Sequence, residues 1–185
     1  MTVTTLDPKT ALIVIDLQKG VVGYPTIHPI AGVLAAATVL TAAFRRRGLP
    51  VVLVNVTGLA PGRSERSHSL EGLPKDWTDL APELNAQPSD LLVTKRTWGA
   101  FTNTDLAAKL KALGVTQVTL CGVATSIGVE STARQAHELG FNVTLALDAM
   151  TDMSPEAHDN SVTRIFPRLG ETASTREIVE RLDRA

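Results

Sequence analysis

The sequence predicts an α/β fold: a doubly wound, Rossmann-like sheet of six parallel strands with helices on both faces, in three α/β/α layers. Short apolar runs, such as ALIVI at 11–15 and VTLC at 118–121, are typical of parallel strands buried on both faces. Helical patterns separate these runs, as in the alanine-rich stretch at 29–47, so strands and helices alternate along the chain.

The predicted elements follow in a regular order. Strands are predicted at 11–15, 50–55, 90–94, 118–121 and 142–147, the last ending at Asp148, with a short sixth strand near 172. Helices are predicted at 29–47, 104–113, 127–139, from 154 onward and at the C-terminus. No repeat or linker interrupts this order, so we expect one domain over residues 1–185, a length that supports a substantial core.

Composition and charge narrow the class of partner. The chain has a formal net charge of −1, which gives no electrostatic reason to expect binding to nucleic acid or an anionic membrane. The one cysteine, Cys121, excludes an internal disulfide and is typical of a cytosolic protein. No apolar run approaches the roughly 20 residues that span a bilayer. We therefore expect a cytoplasmic protein without nucleic-acid or membrane partners.

The segment 57–88 breaks the alternation. Glycine and proline recur in it, and neither a helical nor a strand period can be followed. A loop of this length is more often a lid, a binding loop or a subunit contact than a surface excursion, and the sequence leaves these alternatives open. Arg63 and Arg66 lie on it, and arginine binds carboxylates with two parallel hydrogen bonds. Both are candidates for binding an anionic substrate, or are solvated loop residues.

Three features that carry chemistry follow the ends of predicted strands. Asp16 follows the first strand, Lys95 follows the third, and the turn GVATSIG at 122–128 joins the fourth strand to a helix. Since the carboxyl ends of parallel strands share one edge of a sheet, one crevice can hold all three. Backbone N–H groups at the start of that helix favour an anion or a developing oxyanion. Asp16 and Lys95 are therefore either a structural ion pair or an acid–base pair with coupled pKa values.

At these residues the sequence resembles the isochorismatase-like hydrolase superfamily, from about residue 10 to the C-terminus. The shared motifs are Asp16 with Gln18 after the first strand, Lys95 followed by GAF at 99–101 and TDL at 104–106, and GVAT at 122–125. Most members are cysteine hydrolases that cleave small amides with an Asp-Lys-Cys triad. The resemblance implies acid–base and charge-stabilising roles for Asp16 and Lys95.

The resemblance also implies the surroundings of the substrate. Backbone N–H groups of Ala124 and of residue 128 would form an oxyanion hole behind a cis peptide between Val123 and Ala124. The residues expected to bind substrate are Gln18, Arg63, Arg66, Trp98, Phe101, Ala124 and Thr125. The family usually assembles, so a homo-oligomer is expected. No cofactor is implied, and no metal is expected, because metal-binding members carry an Asp-x-His motif where this chain has Asn55-Val56-Thr57.

The chain departs from the cysteine hydrolases at one position. Gly128 stands where they carry the nucleophile, and glycine has no side chain that can attack a carbonyl. Cys121 does not replace it, because it lies in a predicted buried strand, where a thiol is inert. Thr125 and Ser126 carry hydroxyls that more often cap a helix, and a shifted nucleophile stays an alternative.

True isochorismatases also lack the cysteine, and they hydrolyse a vinyl ether without a covalent intermediate. By that resemblance Asp16 is the general acid, which protonates the enol-ether carbon to give an oxocarbenium ion that water captures. Lys95 would hold the substrate, and Gly128 would make room for it. We therefore expect a cysteine-independent hydrolase of a small anionic metabolite. The alternatives are a catalytically silent binding or scaffolding relative and an amide hydrolase with a shifted nucleophile.

Overall fold

The computed structural model describes residues 3–65 and 69–184, and in these stretches it has six strands and seven α-helices. The strands are β1 (Thr10–Ile15), β2 (Val51–Val56), β3 (Leu91–Lys95), β4 (Gln117–Val123), β5 (Asn142–Thr151) and β6 (Glu171–Ala173). The α-helices are α1 (Lys19–Val22), α2 (Ile30–Arg46), α3 (Leu106–Ala112), α4 (Glu130–Glu138), α5 (Pro155–Asn160), α6 (Phe166–Leu169) and α7 (Thr175–Arg184). A 3₁₀ turn at Pro82–Leu84 and π-helical turns at Thr125–Val129 and Ser161–Ile165 complete the helical segments.

The strands form one parallel sheet in the order β3-β2-β1-β4-β5-β6. This confirms the predicted fold class. The direction of the winding reverses between β1 and β4, because the chain first moves outward to β3 and then returns to the other side of β1. Such a reversal opens a crevice at the carboxyl ends of the two central strands, where doubly wound proteins bind their ligands.

The sheet has a core on each face. Leu12 and Val14 of β1 point to one face and pack with buried residues of α2 and α7. Ile13 and Ile15 point to the other face and pack with α3, α4 and α6. Alternate residues of one strand therefore enter two different cores, which is why the strand reads as a continuous apolar run.

The fifth strand is longer than its sequence predicted. Its pairing with β4 loses register after Leu120, and β5 continues to Thr151. The prediction that it ends at Asp148 is wrong, because Asp148 lies in the irregular stretch and turns toward α7. There its Oδ1 accepts hydrogen bonds from the backbone N–H of Thr175 at 2.7 Å and from the Thr175 hydroxyl at 2.9 Å. Asp148 thus holds the start of α7 rather than facing the crevice.

The described parts of the segment 57–88 contain only the 3₁₀ turn and a single bridge between Leu80 and Gln18. Its second half is held on α1, where the Lys19 ammonium lies 3.1 Å from Asp76 and 3.2 Å from Asp79. No helix in the described stretches is long and apolar enough to cross a bilayer.

Candidate active site

Asp16 and Lys95 meet at the carboxyl edge of the sheet. Asp16 directly follows β1, and Lys95 is the last residue of β3, two strands away. The Lys95 Nζ lies 2.7 Å from Asp16 Oδ2, and both residues are buried, with 2% and 6% of their surface exposed. Lys95 also donates a hydrogen bond to the carbonyl of Thr97 at 3.1 Å. The two groups form a desolvated, directly bonded ion pair.

Only one oxygen of the Asp16 carboxylate is used by this pair. The other, Oδ1, is buried and has no hydrogen-bond partner among the described residues. Burial raises the pKa of Asp16 to about 6, although the charge and hydrogen bond of Lys95 act in the opposite direction. A carboxyl group with this pKa exchanges its proton near neutral pH.

The turn after β4 lies beside this carboxylate. Gly122 has φ of +122°, and a Cβ there would lie 2.0 Å from the carbonyl oxygen of Ile15, so only glycine lets β4 pass this close to β1. The Val123–Ala124 peptide is cis, as the family resemblance implied. The chain then enters the π-helical turn, where the carbonyl of Ala124 accepts hydrogen bonds from the N–H groups of Ile127 and Val129 at 3.1 Å.

Gly128 faces Asp16 across this turn. A Cβ at residue 128 would lie 3.2 Å from Asp16 Oδ2 and 2.9 Å from Cγ2 of Ile15. Both distances are shorter than ordinary van der Waals contact, so a side chain at residue 128 would displace one of its neighbours. Because glycine has no side chain, the Asp16 carboxylate can keep its observed position.

A buried polar network holds the turn from behind. The carboxylate of Asp152, just beyond β5, accepts a hydrogen bond from the N–H of Ser126 at 2.7 Å. Its second oxygen accepts hydrogen bonds from the N–H groups of Met153 and Ser154 at 2.8 and 3.2 Å. A carboxylate with three N–H donors is strongly held, so it ties the turn to the end of β5.

His158 supports the same turn through a hydroxyl. Its Nδ1 lies 2.9 Å from Oγ1 of Thr125, and both residues are buried. Burial, followed by the nearby His28, lowers the pKa of His158, which favours the neutral ring.

Sequence reasoning missed Asp152 and His158, because their contacts join residues 26 and 33 positions apart. The one available signal was a carboxylate placed between a buried strand and the Ser154-Pro155 helix start.

The ion pair and the turn line one cavity of about 220 Å³. Five residues singled out in the sequence border it: Asp16, Lys95, Trp98, Ala124 and Gly128. Much of the remaining lining was missed, and its larger side chains are apolar: Val21, Tyr24, Val56, Leu59, Leu70, Leu73, Trp77, Val123, Ile127 and Met153. Four of these come from the segment 57–88, so this segment forms part of the cavity wall.

Two residues expected to bind substrate are engaged elsewhere. Gln18 accepts a hydrogen bond from the N–H of Val56 at 2.7 Å and donates to the carbonyls of Val56 and Trp77 at 3.1 Å each. It therefore joins the end of β2 to the irregular segment and is absent from the cavity lining. The ring of Phe101 stacks on Phe141 with their centroids 6.0 Å apart, inside the apolar core.

The remaining expected contacts also lie outside the described lining. Thr125 is fully buried and its hydroxyl is bonded to His158, so only the neighbouring Ala124 reaches the cavity. Arg63 is exposed and does not line the cavity. Arg66 lies outside the described residues.

The comparisons with known proteins agree with this geometry. A family model described as the isochorismatase domain matches residues 10–177. The chain belongs to the isochorismatase family. The isochorismatase family protein YwoC of Bacillus subtilis (strain 168) is 41% identical over 181 residues, which cover 94% of each chain. The solved structure of an isochorismatase family protein from Burkholderia thailandensis superposes with a TM-score of 0.93 at 40% identity and covers 97% of this chain and 98% of that one.

Another relative is named for an activity. The streptothricin hydrolase of Streptomyces noursei is 36% identical over 155 residues, which cover 83% of this chain and 54% of that one. The chain is an isochorismatase-family hydrolase, so a catalytically silent relative is not favoured.

The one cysteine of this isochorismatase-family chain does not border the cavity. Cys121 is fully buried in β4 and is absent from the cavity lining. Burial, and to a lesser degree the charge of Asp148, raises the pKa of its thiol to about 12. The thiolate form that attacks carbonyls is therefore almost absent at neutral pH.

The described part of this family member contains no candidate metal site. Within residues 3–65 and 69–184, no group of three or more His, Cys, Asp or Glu side chains has the arrangement needed to hold a metal ion. The polar groups that border the cavity include the Asp16–Lys95 pair, Ser69 and the backbone of the 124–128 turn.

Proposed function

We propose that this isochorismatase-family hydrolase acts without a nucleophilic cysteine and that Asp16 is its general acid. The observation that carries the proposal is the Asp16 carboxyl group itself. It borders the cavity, its Oδ1 has no partner among the described residues, and burial raises its pKa to about 6. At pH 7 roughly a tenth of such groups carry a proton, enough for a general acid to work.

The proposed reaction is the hydrolysis of an enol ether. Asp16 transfers its proton to the terminal carbon of the C=C bond, and the π electrons form the new C–H bond. The positive charge that remains is shared between the adjacent carbon and the ether oxygen. Water adds to that carbon and loses a proton to the Asp16 carboxylate, and the resulting hemiketal collapses to a carbonyl compound and an alcohol. No covalent bond to the protein forms at any step.

Lys95 and Gly128 have supporting roles in this proposal. The ammonium of Lys95, 2.7 Å from Asp16 Oδ2, limits the rise in the pKa of Asp16 and holds the carboxyl group in one orientation. Gly128 keeps the space beside the carboxyl group free of a side chain. A shifted nucleophile receives less support, since the Thr125 hydroxyl is buried and bonded to His158.

The resemblance to isochorismatases also led us to expect an anionic substrate. Lys95 is the only Lys, Arg or His side chain in the described lining. It is paired with Asp16 while that carboxyl group is ionised, and its charge is unpaired when Asp16 carries the proton that the mechanism needs. A homo-oligomeric assembly and a cytoplasmic location stay predictions.

The test is the substitution Asp16→Asn, assayed by steady-state and single-turnover kinetics on isochorismate, other small enol ethers and a panel of small amides. We expect the fastest reaction of the wild type to be an enol-ether hydrolysis and its kcat to fall by at least about 10², because the proton source is removed. The matched control is Asp105→Asn, which alters an exposed carboxylate that is paired with Lys109 and absent from the cavity lining. Its turnover should equal that of the wild type.

Asp16→Asn leaves the Lys95 ammonium buried without its carboxylate, and an unpaired buried charge destabilises the fold. The double variant Asp16→Asn with Lys95→Met removes both charges and should fold even if the single variant does not. We expect it to be equally inactive. Full turnover in either folded variant would contradict the role of Asp16 as the acid.

A further inference from the structure

Two segments of the chain lie beside the Asp16 carboxylate. The Lys95 ammonium is 2.7 Å from Asp16 Oδ2, and a Cβ on Gly128 would lie 3.2 Å from the same oxygen. The chain continues from Lys95 into the loop 97–102, whereas Gly128 lies two residues before the start of α4. The spacing between this loop and α4 therefore affects both neighbours of the carboxylate.

A single threonine hydroxyl joins the two segments. Thr132 lies in the first turn of α4 and is fully buried. Its Oγ1 donates a hydrogen bond to the carbonyl of Gly128 at 2.7 Å and accepts one from the N–H of Ala100 at 3.1 Å. A helical threonine often bonds to the carbonyl four residues earlier, so the first bond alone is ordinary. The second bond is not local, because it reaches a buried loop residue 32 positions away.

Gln135, nearly one helical turn after Thr132, adds a second attachment. Its side-chain oxygen accepts a hydrogen bond from the N–H of Phe101 at 3.1 Å, and its NH₂ group donates one to the hydroxyl of Thr102. The loop comes so close to this side chain that a Cβ on Gly99 would lie 2.2 Å from its Oε1. Since residues three apart share one face of a helix, three consecutive loop residues are held on the same face of α4.

The same loop holds the ammonium of Lys95. Lys95 Nζ donates a hydrogen bond to the carbonyl of Thr97 at 3.1 Å, three residues before Ala100. Burial raises the pKa of Asp16, and the charge and hydrogen bond of Lys95 oppose that rise. Lys95 is the only other charged residue in the described lining. A displaced loop would move the Thr97 carbonyl and weaken the contact between Lys95 and Asp16.

We propose that Thr132 is a positioning residue, which sets the separation between the loop that holds Lys95 and the turn that contains Gly128. The proposal rests on the hydrolytic site proposed above and adds to it a residue outside the described cavity lining. Without the Thr132 hydroxyl, the buried N–H of Ala100 loses its acceptor, and an unpaired buried N–H is costly. The loop then moves to pair this group with water, and the fixed spacing around Asp16 is lost.

The test combines kinetics with a titration of Asp16 that needs no substrate. Thr132→Val removes the hydroxyl and keeps the shape of the side chain, whereas Thr132→Ser keeps the hydroxyl. We expect Thr132→Val to lower kcat at least about tenfold, since a displacement of about 1 Å can lower a rate about 10²-fold.

The pKa of Asp16 is measured from the pH dependence of its carboxyl ¹³C NMR shift. In Thr132→Val it should rise from the wild-type value toward that of Lys95→Met, because the contact with Lys95 is weakened. Thr132→Ser should keep both kcat and this pKa close to their wild-type values.

Thr41→Val is the matched control. Thr41 is also fully buried in a helix, and its hydroxyl donates to the carbonyl of Thr38 at 2.9 Å, within that helix. Its loss should lower the urea midpoint but leave kcat and the pKa of Asp16 unchanged. If Thr132→Val does not fold, Gln135→Leu breaks the neighbouring loop contact at a half-buried position. It should lower kcat and raise the pKa of Asp16 as well.

An unchanged pKa of Asp16 in folded Thr132→Val, or in Gln135→Leu where that variant replaces it, would overturn the proposal. Equal defects in Thr132→Val and Thr132→Ser would overturn it too, because the hydroxyl would then not be responsible. So would wild-type kcat in Thr132→Val when Asp16→Asn is inactive. Failure of the proposed mechanism gives a different result: Asp16→Asn keeps full turnover, while the pKa of Asp16 still rises in Thr132→Val.

Discussion

Replacing Gly128 with alanine tests how closely the turn is fitted to the Asp16 carboxylate. The new Cβ would lie 2.9 Å from Cγ2 of Ile15 and 3.2 Å from Asp16 Oδ2, so at least one neighbour must move. Ile15 is fully buried in the central strand, where overpacking costs about 1–3 kcal/mol. Gly128 lies in a helical turn rather than in the left-handed region, so this cost comes from the contacts and not from the backbone.

Gly32→Ala is the matched control. Gly32 lies inside α2, and no atom lies within 4 Å of the position a Cβ would take. Alanine at a helix interior is favoured over glycine by about 0.5–1 kcal/mol, so this variant should be more stable than the wild type. Because Gly128 also lies in a helical turn, it shares this gain, and the two alanine variants should differ in free energy of unfolding by the contact cost alone, roughly 1–3 kcal/mol.

Urea denaturation measures these free energies, and kcat/KM measures the effect on the site. A displacement of about 1 Å can lower the rate about 10²-fold, and we expect a loss of this order for Gly128→Ala and none for Gly32→Ala. A Gly128→Ala variant as stable as Gly32→Ala and with wild-type turnover would refute the reasoning. Gly128→Cys should show the same loss and should not become an efficient amidase, because the walls that select the substrate are unchanged.

Three further predictions concern other groups. Iodoacetamide should neither label nor inactivate the native protein, because Cys121 is buried and its thiol pKa is raised to about 12; stoichiometric inactivation with labelling seen by mass spectrometry would contradict this. Lys95→Met removes the charge that opposes the effect of burial, so the pKa of Asp16 should rise and the decline of kcat/KM should move to higher pH; an unmoved profile would count against the coupling. Asp152→Ala removes the acceptor for the N–H of Ser126, so it should lower the free energy of unfolding by about 1–3 kcal/mol. It should also lower kcat more than Asp152→Asn does, and equal kcat values in the two variants would contradict a positioning role for Asp152.

The fold and the core of the site could be predicted because both depend on local signals. Parallel strands buried on both faces leave continuous apolar runs, and their carboxyl ends share one edge of the sheet. Asp16 and Lys95, which follow two such runs, therefore meet although 79 positions separate them along the chain. The same logic brought the 124–128 turn next to them.

The walls of the cavity could not be predicted in the same way. Leu70 and Leu73 belong to a segment without regular structure, so no period indicates which of its side chains face inward. Gln18, in contrast, was expected to contact the substrate and is absent from the cavity lining. Its place beside Asp16 suggested contact with substrate, but its amide is used by the backbone of Val56 and Trp77. Hydrogen bonds between residues far apart in the sequence leave no local pattern from which they could be predicted.

The end of β5 was misjudged for a physical reason. A charged residue after an apolar run usually marks the end of a strand, and Asp148 fits that rule. The strand instead continues past an irregularity, and Asp148 turns aside to hold Thr175. The carboxylate that reaches the site is Asp152, four residues later, which holds the turn through Ser126.

The pH dependence of kcat/KM, measured with the best substrate found, tests the central claim most directly. If Asp16 is the acid, its proton is needed, so kcat/KM should be constant below about pH 6 and fall about tenfold per pH unit above it. The decline should be absent from the residual activity of Asp16→Asn. A wild-type profile that rises through pH 6 to a plateau would show that the ionised carboxylate is the active form and would contradict the account.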